Sequence, residues 1–237
     1  MPRLSMDGDE DPQGNEKDKD ERKLARTISG ILADQYSDLI DNLDTDEPSD
    51  PGADFWERWG VVLLAAITPF LISIGEKSAQ GNMQGVGIGV AWDDVQDAVE
   101  QWASAYSFRL VSDITNTSRN ALRAQLANFY SGQLDYDALT TILQNRYGPV
   151  RAAMISATET QRGYEMGLNI YEDQLRRLGV QTDRQWFVED QDACPLCLPN
   201  NKKLRNRDGW TQSGIPAHPN CRCWSEVVTL DNQGRII

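Results

Sequence analysis

A mainly helical fold is predicted, a bundle of long helices with a small β element at its C-terminal end. Three observations predict it. Apolar residues recur at alternating steps of three and four through most of residues 21–181. Two short β-like runs, 184–189 and 222–230, stand near the C-terminus. Around them fall all four cysteines and the only histidine of the chain.

Residues 1–20 are acidic, rich in Gly, Pro and Asp, and without apolar periodicity, so an acidic disordered tail is expected. N-terminal helices are expected over 21–91. Leu24, Ile28, Leu32, Tyr36, Leu39 and Leu43 share one helical face. The stretch 44–53, with Pro48 and Pro51, reads as a linker, and Asp54 as the N-cap of an apolar helix over 54–75. Between Arg58 and Glu76 this helix has seventeen uncharged residues, the bottom of the membrane-spanning range. Pro69 interrupts it, Thr68 and Ser73 dilute it, and no basic cluster sets an orientation. A buried, kinked core or interface helix is expected, without stable membrane insertion. Gly85-Val86-Gly87-Ile88-Gly89 follows no strand and precedes no Lys-Ser/Thr, so it reads as a hinge rather than a phosphate loop.

A helical stalk is expected over 92–181. Its first helix carries Trp92, Val95, Val99, Trp102, Tyr106, Leu110 and Ile114. Asn116-Thr117-Ser118 can cap a new short helix with Leu122, Leu126 and Phe129; another follows from Asp135 with Leu139, Ile142 and Leu143. Gly148-Pro149 opens the most regular helix. Its seam is Val150, Met154, Ala157, Gln161, Tyr164, Leu168, Tyr171, Leu175 and Leu178, and Gly179 ends it.

The segment 182–237 is the chemical centre of the sequence. Cys194-Pro195-Leu196-Cys197 is followed, twenty residues on, by His218-Pro219-Asn220-Cys221-Arg222-Cys223. Two ligand pairs, each with two residues between its members, match a tetrahedral Zn²⁺ site, and thiolates with one imidazole favour zinc over magnesium or calcium. Cys194, Cys197, His218 and Cys221 form the two pairs, with Cys223 as the alternative ligand. Disulfides are the second reading. They need an oxidising compartment, and Met1-Pro2-Arg3-Leu4 followed by acids offers no signal-peptide core. Four protein ligands make a closed, structural site that contributes on the order of 10 kcal/mol to folding. The expected zinc-binding β module therefore clips a two-stranded sheet to the end of the helices.

The formal net charge is −13, and residues 1–50 carry fifteen acids against six bases. Such acidity disfavours sequence-nonspecific DNA binding, which depends on neutralising phosphates. Lys202, Lys203, Arg205 and Arg207, with Arg222 behind them, are the local exception. They read as a solvated loop or as a contact for an acidic or phosphate partner. No catalytic residues are assigned: the single histidine is taken up as a ligand, which leaves no imidazole base and no Ser/His/Asp set.

From about Thr115 to Val228 the order of features resembles the phage Mu F-like family of minor head, or head morphogenesis, proteins. The residues that carry the resemblance begin with 151–159, Arg-Ala-Ala-Met-Ile-Ser-Ala-Thr-Glu, and Gly163 and Gly167 in the same helix. Trp186, Asp190, Asp192 and the Cys194–Cys197 pair follow, and Ile215-Pro216-Ala217-His218-Pro219-Asn220-Cys221-Arg222-Cys223 closes the run. The resemblance implies a non-enzymatic virion component, made in the bacterial host cytoplasm and housed inside the phage head. It implies association with the portal protein and other capsid components, assistance in head assembly and DNA packaging or delivery, and a candidate weak contact of the basic loop with packaged DNA. The alternative is a zinc-stabilised nucleic-acid-binding or regulatory module resting on that loop. Within the Thr158-Glu159 pair, Glu159 falls off the seam. It either pairs with Arg162 on the surface or is covered by the metal module, accepting from its backbone or from Arg222; the covered arrangement is the one expected.

Overall fold

The computed structural model describes residues 11–83, 90–189 and 193–237. The chain is mainly helical, with a small two-stranded sheet near the C-terminus. The helices are α1 (Gly14–Asp41), α2 (Ala53–Met83), α3 (Trp92–Tyr130), α4 (Tyr136–Arg146) and α5 (Pro149–Arg177). The strands are β1 (Thr182–Phe187) and β2 (Trp224–Thr229), paired antiparallel with Thr182 opposite Thr229 and Phe187 opposite Trp224. The expected hinge over 85–89, and Asp190 and Asp192, lie outside the described residues.

Two compact units form. One joins residues up to Arg22, Leu71–Trp102 and Ala157–Ile237; the other joins Lys23–Phe70 and Ala103–Ser156. The units cut across the linear segments 21–91, 92–181 and 182–237, because α1, α2, α3 and α5 each contribute residues to both.

In the second unit the apolar spacings of the sequence become a core. Leu24, Ile28, Leu32 and Leu39 of α1, Leu63 and Ile67 of α2, Val111 and Ile114 of α3, and Leu139 and Leu143 of α4 are buried. Asp50, in the linker, accepts from Trp56 Nε1 at 2.8 Å, Arg119 Nε at 2.8 Å, Arg123 Nε at 3.0 Å and the Gly52 amide at 3.1 Å. Burial pushes the Asp50 carboxyl up, but these donors outweigh it and hold it down at about 2. The α2 segment differs from the buried helix expected. By length and composition it could cross a membrane, with a mean hydropathy of 1.7 over eighteen residues, yet only 28% of that window is buried in the protein. Val61 and Val62 are exposed apolar residues on this helix.

Three further expectations are corrected. The capping reading of Asn116-Thr117-Ser118 fails, since α3 runs unbroken for 39 residues. Ser118 is buried and its hydroxyl bonds back to the Ile114 carbonyl at 3.0 Å, so it serves the helix interior rather than a terminus. The seam of α5 is buried only along its middle: Val150, Met154 and Leu178 are 81%, 47% and 54% exposed. Finally, helix begins at Gly14, inside the stretch expected to be disordered. The charges that argued for disorder are partnered there: Lys17 pairs with Asp11 at 2.7 Å, both buried, and Asp20 accepts from Lys77 Nζ at 2.7 Å and Tyr164 Oη at 2.8 Å.

The first unit holds the sheet. Ala79 of α2, Val95 and Val99 of α3, and Ile170, Tyr171 and Leu175 of α5 form its helical core. Two glycines of α5 permit the close approach of α2. A Cβ on Gly163 would stand 2.2 Å from Ile74 Cδ1, and one on Gly167 would stand 2.2 Å from the Gly75 carbonyl oxygen. At this contact Ser78 Oγ donates to the Tyr164 carbonyl at 2.6 Å.

Candidate metal centre

The site is held on α5 through the sheet, and that attachment is polar. Arg184 in β1 is fully buried and donates through one guanidinium nitrogen to Glu165 of α5 and to Ser225 Oγ of β2, and through the other to Asn169 Oδ1 at 2.7 Å. Glu165 also accepts from the Ser225 amide at 3.1 Å. Burial raises the Glu165 pKa, against the opposing pull of Arg184, and four donors around one buried carboxylate offset much of its desolvation. Glu172, two turns further along the same face of α5, accepts from Arg205 at 2.8 Å and Arg176 at 2.5 Å. The Asp183 carboxylate takes the amides of Asn206 at 3.0 Å and Arg207 at 3.2 Å. These bonds fix both β1 and the turn Arg205–Gly209 before any metal ligand is reached.

Each ligand pair sits on a turn closed by its own backbone. The Cys197 amide donates to the Cys194 carbonyl at 2.9 Å, and the Cys221 amide donates to the His218 carbonyl at 3.2 Å. Asn220 occupies the left-handed region at φ 59°, which asparagine tolerates, and its amide donates to Thr158 Oγ1 of α5 at 2.9 Å. The turn carrying His218 and Cys221 is thereby tied to the helix. An apolar shell of Trp186, Val188 and Ile215 surrounds the thiols, with Trp210 edge-on to Trp186 at 4.9 Å between centroids.

All five candidate ligands converge. Ligand atoms of Cys194, Cys197 and His218 lie within 4.8 Å of one another, as do those of Cys197, Cys221 and Cys223, so Cys197 is common to both sets. His218 Nε2 is 3.0 Å from Cys194 Sγ and 3.3 Å from Cys197 Sγ, and Cys197 Sγ is 3.9 Å from Cys221 Sγ. A tetrahedral site with metal–sulfur bonds of about 2.3 Å has ligand–ligand edges of about 3.8 Å, close to the 3.9 Å between Cys197 and Cys221, while Cys194, Cys197, His218 and Cys221 together span the two sets. The cluster could hold a metal ion.

The orientation of the imidazole also suits a metal. His218 Nδ1 lies 2.9 Å from the Pro219 carbonyl, which can only accept, so Nδ1 carries hydrogen and Nε2 faces the sulfurs as the ligand atom. That bond raises the His218 pKa, with the nearby sulfur charges of Cys221 and Cys194 adding to it. Cys221 is held down at about 5, first by a hydrogen bond from Cys223 and then by the Ala217 and Cys223 amides. Cys223, the donor, is raised by that bond and by burial. Burial and the adjacent Cys221 charge push Cys197 up to about 12. Cys194 is lowered: burial opposes, but the Cys197 side chain and the amides of Cys197 and Leu196 outweigh it.

The residues singled out beside the cluster divide. Thr158 reaches the metal turn, as described. Glu159 is covered, and Arg162 Nε stands 3.4 Å from its carboxylate. The Arg222 guanidinium takes both carboxylate oxygens of Glu21. In the basic loop, Arg205 is taken by Glu172, Arg207 pairs with adjacent Asp208 at 3.0 Å, and Lys202 Nζ lies 5.8 Å from the Phe187 ring centroid. Sequence reasoning missed Glu165, Glu172 and Arg184. The one available signal was an arginine inside an otherwise half-apolar strand, since a buried arginine requires an acidic partner. Comparisons with protein-family models, with curated proteins and with solved structures return no match.

Proposed function

We propose that the chain is a minor head, or head morphogenesis, protein of a tailed phage, a non-enzymatic component inside the capsid that associates with the portal and assists head assembly and DNA packaging or delivery. One observation supports this reading beyond the residue motifs. The three segments that carry the resemblance, far apart in sequence, meet at one place. Thr158 of the Thr-Glu helix accepts from Asn220 of the His-Pro-Asn-Cys turn, and the thiols and imidazole of that turn meet the Cys-x-x-Cys pair. A motif set that converges on one centre is a structural unit rather than a chance of composition.

The ion in this reading is zinc, held by Cys194, Cys197, His218 and Cys221. Three sulfurs and one nitrogen are soft to borderline donors, and four protein ligands leave no open position for a substrate. The hydrogen bond from Cys223 to Cys221 supports Cys221 as the ligand and Cys223 as the alternative. Zinc would supply folding energy and a fixed turn, not chemistry. The internal pairing of Arg205 and Arg207 supports an assembly protein over a nucleic-acid-binding module.

A mass-spectrometric inventory of purified virions and empty procapsids tests the assignment. The expected result is the protein present at a few copies per head and co-purifying with the portal ring. Consistent absence from purified heads overturns it. Elemental analysis of the purified chain tests the ion, with one zinc per chain expected.

A further inference from the structure

Among the described residues, charged and polar side chains hold the N-terminal end of α1, with Lys17 Nζ also over the Tyr164 ring at 5.3 Å. Gly14 to Arg22 contains no apolar residue, and the first core side chain of the helix is Leu24. The stretch depends on Asp20 with Lys77 and Tyr164, on Lys17 with Asp11, on Gln13 Nε2 donating to the Ser78 carbonyl at 3.3 Å, and on Glu21. Glu21 differs from the others in its partner. Arg222 follows Cys221 directly, so its backbone position is set next to a ligand of the metal turn. It grips Glu21 with both terminal nitrogens, one at 2.8 Å, and the pair is two-thirds or more buried on each side.

We propose that metal loading at the cysteine–histidine cluster latches the N-terminal end of α1 through Arg222 and Glu21, making residues 14–22 a metal-responsive strap. The inference rests on the metal reading above. A bidentate arginine–carboxylate pair needs its two groups fixed in one geometry to be worth more than a surface contact. An ion that clamps Cys221 against Cys197 fixes the turn and so fixes Arg222. Without the clamp the turn loses its thiolate crosslink, Arg222 gains freedom, and a segment with no apolar anchor opens locally while the two cores remain intact. Release exposes a segment of mixed charge, with four acids against three bases over 14–22.

Hydrogen exchange read by mass spectrometry on the full chain tests the latch, with metal content measured on the same samples. In Arg222→Gln the metal should remain at its original stoichiometry while peptides covering 14–22 exchange about fivefold faster or more. Chelation of the unmodified chain should produce the same acceleration, together with lost protection over 193–223 and no change in α3 peptides over 103–130. The exchanged pair Glu21→Arg with Arg222→Glu should restore protection of 14–22. If chelation strips the metal and opens 193–223 while 14–22 keeps its original exchange, the latch is wrong and the metal reading stands. If the chain takes up no metal at all, the metal reading fails first and the latch with it.

Discussion

Gly167 of α5 lies so close to Gly75 of α2 that a Cβ on it would sit 2.2 Å from the Gly75 carbonyl oxygen and 2.7 Å from Ser78 Cβ. Backbone atoms cannot swing aside as a flexible side chain can, so any side chain at this position forces the two helices apart. Gly167→Ala should lower the unfolding free energy by about 3 kcal/mol, the upper range for overpacking. Gly30, exposed in the middle of α1 with nothing within 4 Å of its Cβ position, is the internal control. Gly30→Ala should stabilise the chain by about 0.5–1 kcal/mol through helix propensity alone. Chemical denaturation of both variants decides it, and equal behaviour would remove the close-approach argument.

Arg184 and Glu165 make the second prediction. Both are buried, and each is the other's main compensation for desolvation. Arg184→Met leaves a buried carboxylate whose remaining donors are Ser225 and Gln161, and should cost about 3–5 kcal/mol. Arg184→Met combined with Glu165→Met removes both charges, and should cost clearly less than the sum of the single changes. Denaturant titration of all four proteins gives the coupling directly. Additive losses would mean that the pair does not hold the sheet to α5.

These two contacts mark where sequence reading stops. The spacing of Leu24, Ile28, Leu32 and Leu39 displays a buried helical face because one side chain in three or four must leave water. The two Cys/His pairs were legible because metal geometry demands short local spacings. Gly163 and Gly167 stood in a quoted motif with no physical role attached, since a glycine pair shows its purpose only when the opposing backbone is placed. The order of residues 14–20 was hidden for a related reason. Asp20 looks like solvated charge until Lys77 and Tyr164, remote in sequence, are brought to it. Ser118 was read as a cap because serine bonds backbone at termini, whereas here Arg151 donates to it at 2.9 Å and to the Ile114 carbonyl at 3.0 Å, tying it mid-helix.

The linker carboxylate Asp50 predicts an acid response. Its folded value of about 2 lies below the ordinary aspartate value of about 3.9, so the folded state binds this proton less readily than the unfolded state. The stabilisation is fully present above about pH 4 and is lost as pH falls from there through about 2. Asp50→Asn should cost about 2 kcal/mol at pH 7, because two arginines lose a charged acceptor. It should also flatten the fall in stability between pH 4 and pH 2. Thermal unfolding across that interval measures both, and an unchanged slope would show that another carboxylate carries the acid sensitivity.

Acid should also release the metal, in stages. Ligand thiols must lose their protons to bind, so the free cluster holds more protons than the loaded one, and affinity falls as pH falls. Cys197, pushed up to about 12, is protonated in the free cluster across the neutral range. Its proton gives about tenfold weaker binding per pH unit across the neutral range, and His218, whose pKa is raised, adds another as pH falls through the imidazole range. Cys221 is held at about 5, so it adds a further proton and a steeper fall only below that point. Cys223→Ala removes the first cause of the low Cys221 value, and should keep the metal at neutral pH while moving the steep stage upward. Cys221→Ala should lose most of the metal at neutral pH. Competition with a zinc chelator across pH 8 to pH 4 reads all three proteins. Equal loss of metal in the two variants would make Cys223 a ligand and reverse the assignment.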